Sequence, residues 1–186
     1  MDWMEQLGGV LQQYNGTGAA PAQANVHDEF DQIAQNAPQS AMSDGLAAAF
    51  RSEQTPEFGQ MAAQLFNNSN NQQRAGILNT LISVVGPTVL SHILSRRAGA
   101  GSGGGNGLSG LIGLLSGGQQ TEITPEQAAQ VPAEAVGEIV AQAEKKDPSV
   151  IDQLSNFYAQ HPTLVKSLGA AVLAIAMAKI AQRQQG

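Results

Sequence analysis

The chain has 186 residues, 42% of them apolar but only 4% aromatic, with 13% charged and a formal net charge of −6 at pH 7. A core this poor in aromatics must be built from Ala, Leu, Ile and Val, which suits closely packed helices better than sheets. Sparse, net-acidic charge disfavours binding along a nucleic-acid backbone, and the absence of cysteine removes disulfides, thiol nucleophiles and thiolate metal sites.

Residues 1–14 place Trp3, Leu7, Val10, Leu11 and Tyr14 on one helical face, with Asp2, Glu5, Gln6, Gln12 and Gln13 largely opposite. The opening MDWMEQL lacks the basic-then-apolar order of a signal peptide, so a cytoplasmic location is the expectation. Residues 15–25, NGTGAAPAQAN, have the composition of a flexible tether.

Four helices are then predicted, at 27–36, 39–51, 56–67 and 71–96, forming a first helical unit over 26–97. Thr55-Pro56 reads as a capping side chain followed by proline at the first helical position. The polar loop NNSNNQQ at 67–73 would turn the shorter helices onto the long one. Residues 75–95 hold no Asp, Glu, Lys or Arg, a stretch long enough to span a membrane. Asn79, Thr80, Ser83, Pro87, Thr88, Ser91 and His92 within it favour a buried helix instead.

A Gly-rich linker follows at 98–107, then LSGLIGLLS at 108–116. Leu108, Leu111, Ile112 and Leu115 recur at i, i+3, i+4 and i+7, one face of a short helix. Gly110 and Gly113 lower its helix propensity by about 1 kcal/mol each relative to Ala, so it should form only when docked. It is predicted to clasp two helical units as shared core.

The second unit spans 122–186. Thr124-Pro125-Glu126-Gln127 has capping-box spacing, and Asp147-Pro148 is a further helix opening. Val136, Ile139, Val140 and Ala143, then Val150, Ile151, Leu154, Phe157 and Tyr158, form apolar faces ahead of a long apolar helix that starts near His161-Pro162.

The halves on either side of the glycine tract match in order. At an offset of 94, Pro38, Ala41, Met42, Leu46 and Ala49 fall on Pro132, Ala135, Val136, Val140 and Ala143. At 92, Pro56, Phe58, Leu65 and Phe66 fall on Pro148, Val150, Phe157 and Tyr158, and at 87 the segment from Ile77 to Arg96 meets that from Leu164 to Arg183. The expected fold is therefore all-α, with two similar tandem helical units of short helices plus one long apolar helix, joined by a Gly-rich tether. A unit of this size is marginal alone, so the two should dock.

Chemistry is thin. His27, His92 and His161 are far apart, and His27-Asp28-Glu29 with Asp31 reads as an acidic first turn favoured by the helix dipole rather than a metal site. The glycines at 103–107 lack the Gly-Lys-Ser/Thr of a phosphate loop, and no serine stands in a nucleophile elbow. No catalytic, cofactor or metal residue is predicted.

The order of an amphipathic first helix, GLSGLIGLLSGG, then ITPEQAAQVPAEAVGEIVAQAEKKDPSVIDQL resembles the YidB-like family of small bacterial proteins of uncharacterised function. The likeness covers residues 101–165. It implies an all-helical protein and transfers no catalytic residue, and the first half and the apolar segment LVKSLGAAVLAIAMAKIAQ depart from the pattern.

The functional expectation is a non-enzymatic interaction or self-assembly protein, contacting copies of itself or a protein partner through Trp3, Leu7, Leu11, Tyr14, Leu108, Leu111, Ile112 and Leu115. Nucleic acid is not an expected partner. The alternatives are peripheral contact with a membrane through residues 1–14 and LSGLIGLL, and small-molecule binding between helical units.

Overall fold

A computed structural model describes residues 23–99, 106–117 and 122–184. The helix expected over 1–14, most of the tether at 15–25 and the centre of the linker at 98–107 lie outside them. The described residues form helices and no strand: α1 Gln23–Asn36, α2 Gln39–Phe50, α3 Phe58–Asn68, α4 Asn71–Val85, α5 Pro87–Gly99, α6 Asn106–Ser116, α7 Pro125–Ala128, α8 Ala133–Lys146, α9 Val150–Ala159 and α10 Pro162–Val165. A 3-10 turn at Lys166–Leu168 then leads to α11, Ala170–Gln184. The all-α class follows the small-residue composition.

Two compact units result, and neither is one half of the sequence. One holds the described residues through Pro56 together with Ser155 onward; the other is Glu57–Leu154, with the boundary inside α9.

In the first unit α11 lies on α2 and α1. Phe30, Ile33, Met42 and Leu46 are buried in that unit, as are Leu173, Ala176, Met177 and Ile180 of α11. Gly45 makes the approach possible: a Cβ there would collide with Ile180 Cγ1 and lie 3.1 Å from Ala176 O. Lys166 Nζ bonds Asp31 Oδ2 at 2.6 Å, tying the 3-10 turn to α1. Thr55 does not cap α3 as expected. Its hydroxyl donates back to Ala49 O and Ser52 O at 2.7 and 2.8 Å, closing the end of α2, while Glu57 takes the N-cap position of α3.

In the second unit α8 buries Ala135, Val136, Ile139, Val140 and Ala143 against α3, α4 and α5. Its crossing with α3 is made by glycines. A Cβ on Gly59 would stand 2.7 Å from Gly137 O, and one on Gly137 would stand 2.8 Å from Gly59 O. The expected capping box at Thr124 is present, with Gln127 N–H donating to Thr124 Oγ1 at 3.4 Å and Thr124 N–H to Gln127 Oε1 at 3.0 Å. A second box, Asn70 with Gln73, opens α4 from the polar loop. Asn79 exchanges two bonds with the Ile123 backbone, at 3.2 and 2.8 Å, and so holds the lead into α7 against α4.

Both long apolar helices are broken. The segment expected as one helix over 71–96 turns by 117° between α4 and α5. Pro87 has no N–H and disfavours the α conformation in the residue before it. Gly86 accordingly sits at φ 86°, ψ 157°, where a side chain would be strained. The C-terminal segment breaks at a glycine in a similar conformation, Gly169 with φ 92° and ψ 163°, with Ala170 rather than proline after it.

Candidate interaction surface

α6 is the oily half of the glycine tract. Asn106–Ser116 is helical, and Leu111 and Leu115, four residues apart, are 2% and 0% exposed. The helix packs chiefly on α5 and also reaches α7. Burying two leucines contributes on the order of 1.5–3 kcal/mol each, against about 1 kcal/mol lost at each interior glycine. Docking on α5 therefore decides whether α6 exists.

The opposite side of α6 is bare. Ser109, Gly110, Gly113, Leu114 and Ser116 are exposed, and Leu114 is 47% accessible. A Cβ added at Gly110 or Gly113 would meet nothing within 4 Å. Val89 of α5 is the other large apolar side chain left exposed among the described residues, at 37%. Both therefore belong to one packed helix pair.

Of the residues expected to make contacts, Leu111 and Leu115 face inward and Ile112 is half-buried. The side chain of Leu108 and all of Trp3, Leu7, Leu11 and Tyr14 lie outside the described residues. Leu114 lies off the i, i+3, i+4, i+7 face of Leu108, Leu111, Ile112 and Leu115, so helical spacing does not mark it. Gly45, Gly59 and Gly137 are likewise unmarked, since their signal is only a small residue on an otherwise apolar helix face.

Several charged side chains hold the fold. Glu138 of α8 accepts from Arg96 and, at 3.2 Å, from Arg97 Nε, joining α8 to the end of α5. Lys146 Nζ donates to Val85 O at 3.1 Å, capping the end of α4 where the break begins. Arg74 donates to Phe66 O and Asn67 O and stands 5.2 Å over the Phe66 ring. Asp147 closes α8 as its C-cap, and Pro148 lies two residues ahead of α9 rather than at its first position. The Asp147 carboxylate accepts from Ser149 N–H at 3.0 Å, and hydrogen bonds from the Ser149 side chain and backbone hold its pKa below the usual value. His27, Asp28, Glu29 and Asp31 do not form an acidic first turn as expected, because α1 begins earlier, at Gln23, and its first turn holds no acidic residue; Asp31 pairs instead with Lys166. Among the described residues no group of three His, Asp or Glu could hold a metal ion.

Two hydroxyls stand apart from this pattern. Ser155 Oγ and Tyr158 OH on α9 are buried without a hydrogen-bond partner. Tyr158 packs edge-on against Phe50 and Phe157, with ring centres 6.1 and 5.7 Å away, and burial pushes its phenol well above the ordinary range.

Among the described residues no single helix is long and apolar enough to cross a membrane; α4 and α5 reach that length only together, across their bend. No protein-family model matches the chain, and no curated protein or solved structure matches it.

Proposed function

We propose that this chain is a non-enzymatic helical interaction protein that self-associates or holds a protein partner through apolar helix faces. The observation that carries the reading is the two-sided character of α6. Its inner leucines are used up on α5, while Leu114 stands 47% exposed beside Gly110 and Gly113, which leave its backbone open to close approach. An exposed apolar side chain on a helix stripped of flanking side chains suits a second helix laid across it. The resemblance of residues 101–165 to YidB-like proteins agrees with a helical protein without catalytic residues.

Sedimentation velocity across a wide concentration range tests the proposal. Leu114→Glu should leave helicity unchanged and shift the mass distribution toward monomer. Identical distributions for variant and parent would remove α6 from the interface. A second reading, peripheral membrane contact, draws on the same exposed leucine in a segment without charge from 98 to 121. Liposome flotation separates the two: a chain that fails to float with neutral and anionic vesicles alike is not a lipid binder.

A further inference from the structure

The helices α5 and α11 are counterparts. Each follows a positive-φ glycine in nearly the same conformation, 86°/157° at Gly86 and 92°/163° at Gly169. Each then reads Gly-x-x-Val-Leu, with Leu90 N–H donating to Gly86 O at 3.4 Å and Leu173 N–H to Gly169 O at 3.2 Å. Leu90, Ile93 and Leu94 are buried, and so are Leu173, Ala176 and Met177 at the same positions. A second pair of counterparts is α2 and α8. Both follow an extended proline, Pro38 at −59°/144° and Pro132 at −70°/143°, and both bury Ala, a larger apolar residue, then Leu46 or Val140 and Ala49 or Ala143.

The packing crosses between the halves. Helix α5 of the first half is covered by α6 and α8 of the second, and α11 of the second is covered by α1 and α2 of the first. Each half thus receives on its proline-started helix the glycine-started helix of the other.

Resting on the self-association reading, we propose that α11 is an exchange element: in a dimer of this chain, α11 of each copy seats on α1 and α2 of the other. Exchange repeats every contact of the closed chain, so the hinge and the protein concentration set the balance. The hinge is Gly169. A Cβ there would meet nothing within 4 Å, the preceding 3-10 turn buries no residue, and the Lys166–Asp31 pair pins the chain just before it. The receiving groove is specific for α11 because Gly45 admits Ile180, which is 1% exposed.

The chain has no cysteine, so Gly45→Cys with Ile180→Cys places a single possible disulfide across this contact. After mild oxidation of the full chain, the expected result is a doubling of the denatured, non-reduced mass. Loss of free thiols at monomer mass overturns the exchange. Light scattering on the unsubstituted chain then distinguishes the two failures: a mass above monomer keeps self-association through another face, and a monomer sinks both. If the double variant does not fold, Gly45→Trp and Ile180→Asp are purified separately and mixed. Exchange lets the intact groove of one take the intact helix of the other, so the mixture should gain helicity over the mean of its components, and no gain overturns the proposal.

Discussion

Gly59 and Gly137 show how a single atom governs a helix crossing. With the Cβ positions 2.7 and 2.8 Å from the facing carbonyl oxygens, Gly137→Ala cannot be absorbed by a side-chain rotation, because backbone stands on the other side. The cost of such overpacking is about 1–3 kcal/mol, and thermal unfolding should show it as a lowered Tm, where an exposed Gly→Ala in a helix would raise it. Tyr158 makes the opposite prediction. Its hydroxyl is buried with no partner, so Tyr158→Phe removes a desolvation cost of about 1–3 kcal/mol and should leave stability unchanged or raised in denaturant titration. The same burial fixes the alkaline limb. The folded pKa is raised, so the associated stability is complete below the unfolded value near pH 10 and is lost as pH rises beyond it, by about 1.4 kcal/mol per pH unit. Tyrosinate absorbance should therefore show Tyr158 ionising with unfolding rather than before it, and Tyr158→Phe should flatten that limb.

At the scale of elements, α6 is the helix most open to strengthening. Gly110 and Gly113 lie on its exposed side with free space around them, so replacing both by Ala should raise its amide-exchange protection by about 1 kcal/mol per site. Unchanged protection would mean that α6 is held by docking alone. The type of most elements and some of their starts were legible in the sequence. Helices α2 and α4 begin where expected and Thr124 with Gln127 caps α7 at its spacing, whereas α1, α3 and α9 begin at Gln23, Phe58 and Val150 rather than at 27, 56 and Pro148. The breaks at Gly86 and Gly169 were not legible. Apolar residues continue at helical spacing through both, since the helices on either side of each glycine go on burying Leu81, Ile82, Leu90 and Ile93, or Leu164, Val165, Leu173 and Met177. Periodicity reports which residues are buried and is silent about a change in axis. Thr55 shows the converse: a good capping residue whose hydroxyl was claimed by the end of the previous helix.

For the whole molecule, the matched order of helices in the two halves was visible and the way those helices pack was not. Offsets of 94 and 92 coincide with the starts of α2 and α8, and of α3 and α9. The offset of 87 for the last segment gives way to 83 once Gly86 and Gly169 are paired. The two differ by four residues, about one helical turn, which leaves an apolar stripe nearly in phase and so escapes a pattern match. Nothing in a pattern says whether a helix packs on its own half or the other, and the expectation of two tandem units assumed the former. The composition of the units makes a direct prediction. A protease site inserted among residues 100–105 and then cut should leave two fragments that co-elute in native size exclusion, because α2 with α11 and α8 with α5 join one fragment to the other. Fragments that separate would show that these pairs do not hold.

The covering of α2 by α11 also has a consequence in time. From Phe50 to Ala170 the ribosome must add about 120 residues, which takes roughly 6–24 s at about 5–20 residues per second. Over that interval Met42, Leu46 and Phe50 have been made and leave the tunnel, and the helix that closes over α2 has not yet been made. The nascent chain thus presents an uncovered apolar stripe to holdase chaperones for many seconds, and ribosome profiling of chaperone engagement should find a footprint that opens after α2 leaves the exit tunnel and persists while α11 is being synthesised.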